Sequence, residues 1–392
     1  MKKVVLFDLM SAQPSGSSKF HGGGEYIKAI FREMVKEYSD KAEIVPFYNS
    51  DKFIDEWIIG LIKAYNLKCY DIKQHEDLKQ IFTEFTPDVF FSGLPAVFKK
   101  EWFPENVKLI GTVHGLRKIE KPHDVTEPKY LDGKNSKISS IKLKIRKFVG
   151  NGVKYRSKFI LQQKYVLDLL DVVITDSEHT YYAIKYYYPE SVNSIDIKVY
   201  YPPNTKTDID CQNNKAEVTG DYILMLGGDR WLKNVYRALK AVDSLYDRGY
   251  LKGVRTVVVG KTSQSIRSEM KHTGNYIWNE YVDNDVLENL YANCSIFVYP
   301  SLNEGFGYPP LEAMRYGKTC VVSAVCSMPE ICGDAVYYTN PYDVEEIANR
   351  ILRANDKKIC TEKIKAQYDL INNRQNIDLQ NICKCILGLC QK

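Results

Sequence analysis

At 392 residues the chain is too long for one ordinary hydrophobic core, so length alone argues for about two domains. Hydrophobic residues make up 44% and charged residues 26%, with a net charge of +5, the balance of a soluble globular protein. No apolar run reaches membrane-spanning length: the nearest, YVLDLLDVVIT, is broken by Asp168 and Asp171.

The N-terminus MKKVVLFDLM holds an apolar run that ends on an acidic residue and lacks a small-residue cleavage site. It reads as a first strand, VVLFDL, and not as an export signal. The ten cysteines are therefore expected to be reduced. Cys320, Cys326 and Cys332, and the tail pair Cys383 and Cys385, match no zinc spacing. KFHGGGEY, from Lys19 to Tyr26, places three glycines before a helix and is a loose anion-loop signal, since it is not GxGxxG. The helix that follows carries Tyr26, Ile27, Ile30, Phe31, Met34, Val35 and Tyr38 on one face.

HEDLKQIFTEF reads as a further helix, and PDVFFSGL, KLIGTVHG, DVVITDS and KVYYPP read as strands. TVHGLR sets His114 at a strand end before Gly115, a position as compatible with a site as with a structural histidine. Residues 129–164 contain eleven lysines and arginines and one acid, Asp132, a local excess of ten positive charges in a chain whose net charge is +5. Within them Ile138, Ile141, Ile145 and Phe148 share a helical face, although IKLKIRK also alternates as a strand would. This segment is expected to meet an anionic membrane surface or a lipid-linked acceptor; the plain alternative is a solvated basic loop, and nucleic acid is not expected.

The stretch NTKTDIDCQNNKAEVTGD is polar and suits a linker. The alternation then restarts with YILMLGG, RTVVVGK, YIWNEYV, SIFVYPS and TCVVSAV, separated by helices such as KNVYRALKAVDSLY and NDVLENLYANC. Near-continuous β-branched runs joined by helices imply buried parallel strands. The expected fold class is α/β, with two doubly wound Rossmann-like domains facing one another across a cleft. The expected boundaries are 1–205, 215–375, and a C-terminal helix over 376–392 that packs back toward the first domain.

Ligands of such sheets bind at the C-terminal strand edge. There LMLGGDRWLKN sets Arg230 and Lys233, two cations at a helix start that call for a compensating anion; the plain alternative is that both face solvent, one of them stacked on Trp231. PSLNEGFGYPPLEAMRYG runs from a strand through a Gly-Phe-Gly turn into a helix with proline in its first turn. The turn and helix start offer free N–H groups to an anion, and Glu304 and Glu312 flank them as acceptors for ligand hydroxyls. Two DxD pairs, Asp208 with Asp210 and Asp283 with Asp285, read as linker and helix cap, and no metal is expected at either.

EGFGYPPLEAM resembles the Glu-x7-Glu motif of the family-four retaining glycosyltransferases, which have the GT-B fold. GGDRWLKN is similar to the diphosphate-binding segment of that family, with its Arg and Lys closer together than in many members. NEYVDNDVLENLYANCSIFVYPS and MPEICGDAVYYTNPYDVEEIANRI resemble the stretches on either side of the motif, and TVHGLR, ITDSEHT and HGGGEY fit more loosely.

The resemblance implies transfer of a hexosyl group from a nucleotide sugar, with retention and without metal or cofactor. The acceptor would be a saccharide or lipid-linked saccharide of a surface polysaccharide such as lipopolysaccharide or capsule. It implies that Glu304, with the N–H groups of Phe306 and Gly307 beside Gly305, holds the donor sugar, and that Glu312 holds ribose hydroxyls. Arg230 and Lys233 would neutralise the leaving diphosphate, His114 would approach the sugar, and the backbone near Tyr281 and Val282 would contact the base. Gly23 and Gly24 join the donor-binding set. A cytoplasmic enzyme, peripheral on the inner membrane face, is the expected setting. The alternatives are a nucleotide-sugar epimerase of the same fold and a non-catalytic nucleotide-sugar-binding protein.

Overall fold

The structure, a computed structural model, describes residues 2–14, 21–133, 138–139, 141, 151–205 and 218–389. The expected linker lies largely outside them, as do Lys19, Asp208, Asp210, Lys142, Lys144, Arg146 and Lys147. The chain divides into two compact units: 1–116 with 158–206 and 372–392, and 117–157 with 207–371.

Among the described residues, the first unit holds a parallel sheet of seven strands. These are β1 Lys3–Asp8, β2 Ala42–Tyr48, β3 Tyr70–Asp71, β4 Val89–Ser92, β5 Lys108–Val113, β6 Val172–Thr175 and β7 Asp196–Val199. Their spatial order is β3-β2-β1-β4-β5-β6-β7, so the winding reverses between β1 and β4. β4 and β6 are buried throughout, as a sheet covered by crossover helices requires. Val5, Phe7 and Leu9 pack against Ile27, Ile30, Phe31 and Met34 of the helix Gly22–Tyr38. β2 includes Pro46, which lacks an amide donor. The ladder to β3 covers only Phe47 and Tyr48, so little pairing is lost on that side.

The second unit holds β8 Tyr222–Leu226, β9 Arg255–Val259, β10 Tyr276–Asn279, β11 Ile296–Tyr299, β12 Cys320–Ser323 and β13 Tyr337–Thr339. They form a parallel sheet in the order β10-β9-β8-β11-β12-β13, and the winding reverses between β8 and β11. Alternate residues serve opposite faces. Ile223, Met225, Ile296 and Val298 pack with the helices Val235–Asp247 and Val344–Asp356. Leu224, Phe297 and Tyr299 pack with Asn284–Asn293 and Tyr308–Arg315.

The division departs from the expected boundary at 205, because residues 117–157 belong with the second unit. The reason is a set of contacts from that segment: Tyr130 is part of the core of the second unit, and Asp124 pairs with Arg237 at 3.0 Å. The tail is one helix, Thr361–Leu387, longer than the expected 376–392. Its last turns place Ile382, Cys383, Ile386 and Leu387 in the core of the first unit.

Candidate active site

The strongest cluster in the second unit sits at the sheet reversal. β8 ends at Leu226 and the chain turns through Gly227 and Gly228 into a short 3-10 turn, Trp231–Lys233. β11 ends at Tyr299 and leads through Ser301 to Glu304. The two loops meet: Lys233 Nζ donates to Glu304 Oε1 at 2.6 Å. Both residues are buried, 8% and 7% exposed.

Tyr299 and Ser301 hydroxyls donate to the same oxygen, at 2.8 and 2.6 Å. The Lys233 ammonium also lies 5.1 Å from the Tyr299 ring centre. Burial pushes the Glu304 carboxyl up, but Lys233, Ser301 and Tyr299 together outweigh it and hold the group below the usual glutamate range. Burial pushes Lys233 below its ordinary value, Glu304 opposes that shift, and the charge of Arg230 adds to it. The anion that the lysine requires is therefore internal, the Glu304 carboxylate. Arg230 stands at the N-cap position of the 3-10 turn, makes no side-chain cap bond and is exposed.

The glutamate turn enters the helix Tyr308–Arg315 through Gly307, whose φ is 116°. A Cβ at Gly307 would lie 2.0 Å from Met328 Cε, so only glycine fits the turn in its present packing. Ser327 Oγ donates to the carbonyls of Phe306 and Glu304, at 2.6 and 3.2 Å, and fixes the turn from behind. Phe306 is buried beside Tyr308. Glu312, one turn into the helix, is half-buried. Burial and the Glu312 charge together push the hydroxyl of buried Tyr291 well up. Glu304 and Glu312 both act electrostatically on Tyr299, which lies on the sheet beneath the turn.

Tyr281 and Val282 follow the edge strand β10; Tyr281 is exposed and Val282 half-buried. Asp283 stands at the N-cap of Asn284–Asn293 but makes no side-chain cap bond, so the expected capping is positional only. Asp285 beside it is exposed.

In the first unit His114 follows β5, and Asp176 follows β6. His114 Nδ1 is 2.7 Å from Asp176 Oδ2, and Nε2 is 2.9 Å from the Gly93 carbonyl. Both partners accept, so this geometry suits a ring carrying both protons. The ring also stands edge-on to Tyr26 at 4.9 Å. His114 is thus committed to protein partners, and a sugar contact at Nε2 must displace Gly93. Gly23 and Gly24 open the helix Gly22–Tyr38, with His21 Nδ1 accepting from the Gly24 amide at 3.0 Å. A Cβ at Gly24 would lie 2.8 Å from the Ala12 carbonyl, which explains that glycine by packing.

Sequence reasoning did not find Tyr299, Ser301 or Asp176 as partners. Asp176 stood in the quoted ITDSEHT, but nothing local marked it as the partner of His114.

Residues 207–375 match the family model described as Glycosyl transferases group 1. The serotype-specific mannosyltransferase WbdA of Escherichia coli is 40% identical over 102 residues, 26% of this chain and 12% of that protein. The match therefore spans only a small part of that relative. The O-antigen chain mannosyltransferase RfbU of Salmonella typhimurium is 26% identical over 244 residues, 57% of this chain and 64% of that protein. Among solved structures, Anabaena Alr3699/HepE in complex with UDP and glucose superposes with a TM-score of 0.61 at 15% identity, covering 99% of this chain and 100% of that one. The fold is the expected one, GT-B.

Proposed function

We propose that this chain is a glycosyltransferase of group 1 that moves a hexosyl group, mannosyl by analogy with its relatives, from a nucleotide sugar to a growing surface polysaccharide. The observation that carries this reading is the buried Lys233–Glu304 pair at the reversal of the second sheet. A doubly wound sheet presents its ligand site at that point, and the family match covers those residues. The name of the solved neighbour, in complex with UDP and glucose, supports a nucleotide-sugar donor.

In this reading Arg230 and Lys233 meet the leaving diphosphate, whose negative charge grows as the glycosidic bond breaks. The Gly-Phe-Gly turn before the helix Tyr308–Arg315 adds backbone N–H groups, whereas Pro309 and Pro310 of the first turn have none to offer. Glu304 keeps its second oxygen for a sugar hydroxyl, because three protein donors converge on Oε1. Glu312 takes ribose hydroxyls, and the backbone near Tyr281 and Val282 the base. Transfer proceeds with retention and needs no metal, since the cations do the work a divalent ion would do. Incubating the protein with nucleoside-diphosphate mannose and a lipid-linked saccharide, and reading the anomeric proton of the product, tests the reading. An α-linked mannoside from an α-linked donor supports it; an inverted product or simple epimerisation of the donor removes it.

Among the described residues no helix is long and apolar enough to cross a membrane. We place the enzyme peripherally on an anionic membrane at the cytoplasmic face, through the basic segment 129–164. Its described end supports this. Leu161 and Tyr165, 68% and 44% exposed, lie one turn apart on the helix Asn151–Leu169 with exposed Lys158. The backbone amide of exposed Lys100 donates to the Tyr165 hydroxyl at 3.0 Å. Tyrosine, leucine and lysine together suit a headgroup layer.

A further inference from the structure

The turn that carries Lys233 is linked by side-chain contacts to Asp124, more than a hundred positions earlier in the chain. Asn234, next to Lys233, is fully buried and adopts φ 59° and ψ 28°, a left-handed conformation unusual for a residue other than glycine. Its side chain is bonded at both ends. Nδ2 donates to the carbonyls of Pro300 at 2.9 Å and Pro341 at 2.7 Å, and Oδ1 accepts from Arg237 Nη1 at 2.9 Å. Pro300 directly follows β11, so Asn234 ties the lysine loop to the glutamate loop.

Arg237 is itself buried, and its guanidinium requires a counter-charge. Asp124 supplies one, with Oδ1 3.0 Å and Oδ2 3.3 Å from Nη2. Asp124 is buried as well and is fixed by the amide and hydroxyl of Thr126, at 2.9 and 2.6 Å, with Lys121 at 3.3 Å. The same segment reaches the other half of the pair. Glu120 Oε2 accepts from Asn303 Nδ2 at 2.9 Å, and Asn303 immediately precedes Glu304. Residues 120–126 thus reach the neighbours of both partners of the buried pair, Arg237 and Asn303.

We propose that Asp124 is a positioning residue for donor binding: through Arg237 and Asn234 it fixes the turn that holds Lys233 on Glu304. The inference rests on the reading of this site as the nucleotide-sugar site. Asp124 has no place in the family motif, and its charge acts at two removes. Without it Arg237 loses the carboxylate it bonds to, and the Asn234 side chain loses its fixed donor. The left-handed turn is then free to relax toward an ordinary conformation and swing the ammonium away from the phosphate.

The test is a double-mutant cycle read by nucleoside diphosphate binding. Wild type, Asp124→Asn, Lys233→Ala and the double variant are titrated calorimetrically with UDP, GDP, ADP and dTDP, and near-ultraviolet circular dichroism checks that each is folded. Asp124→Asn is expected to weaken binding of the preferred diphosphate about tenfold in the wild-type background, and less than about twofold where Lys233 is already alanine. Asp124→Glu should restore binding to within about threefold of wild type. Equal losses in both backgrounds, or no loss at all, overturn the positioning role while leaving the site reading intact. If wild type binds none of the four diphosphates, the site reading itself fails and the inference falls with it. Should Asp124→Asn not fold, Asn234→Gly takes its place in the cycle, because glycine keeps the left-handed turn but breaks the chain to Arg237.

Discussion

Lys233 Nζ stands 2.6 Å from Glu304 Oε1, and neither side chain is appreciably exposed. A buried ion pair contributes little net stability while intact, but removing one partner leaves a buried charge and costs about 3–5 kcal/mol. The two cations of the proposed donor site should therefore behave differently. Arg230→Ala is expected to leave the unfolding midpoint unchanged and to lower kcat by roughly 10²-fold. Lys233→Ala is expected to lower both. Steady-state kinetics alongside denaturant unfolding check this, and an unchanged kcat in Arg230→Ala would take that residue out of the chemistry.

The same pair sets an acid dependence. Its donors hold the folded-state value of Glu304 below the ordinary 4.5. The folded protein therefore binds this proton less tightly than the unfolded chain does. The stabilisation is complete above the ordinary glutamate value and is lost as pH falls through the depressed one. Glu304→Gln should thus lose less stability than wild type between about pH 7 and about pH 3. Urea unfolding at the two pH values measures the difference, and equal losses would show that the carboxylate is not held as described.

Much of this architecture was legible in the chain. VVLFDL, DVVIT, YILML and RTVVV each hold an unbroken apolar run of three or more residues because both faces of a parallel strand are covered, and each became a strand. β2 was not legible, because Glu43 and Pro46 interrupt its apolar pattern. β3 has two residues and β13 three, too few to show a period. The site divides in the same way. Glu304, Gly307, Arg230 and Lys233 stand in local motifs. The contacts that organise them do not: Lys233 and Glu304 are 71 positions apart, and Asp124 and Arg237 are 113 apart. Such pairings depend on strand order, which no single segment encodes. The same limit explains the boundary drawn at 205, since residues 117–133 are bound to the second sheet by side chains and not by any strand of their own.

Gly307 should tolerate no side chain. Gly307→Ala meets both a positive φ of 116° and a Met328 methyl 2.0 Å from the new Cβ. We expect a loss of about 2 kcal/mol or more in denaturant unfolding. Adding Met328→Ala should return only part of it, because that change removes the clash and not the backbone strain. Complete recovery in the double variant would show that φ carries no cost.

Membrane attachment is checked by co-sedimentation with liposomes. Binding should rise with the anionic lipid fraction and fall with salt. It should drop when Lys142, Lys144, Arg146 and Lys147 become glutamine, and again when Leu161 and Tyr165 become serine. Indifference of the wild type to anionic vesicles at low salt would point to a soluble acceptor.

In the proposed function the Lys233–Glu304 pair belongs to a nucleotide-sugar site that works without metal. Transfer of radiolabelled sugar from UDP-, GDP-, ADP- and dTDP-linked donors, measured with and without EDTA in wild type and Glu304→Gln, tests it most directly. Turnover of one donor should survive the chelator and fall by roughly 10²-fold or more in Glu304→Gln. Turnover that EDTA abolishes and Mg²⁺ or Mn²⁺ restores, or that Glu304→Gln leaves unchanged, would contradict it.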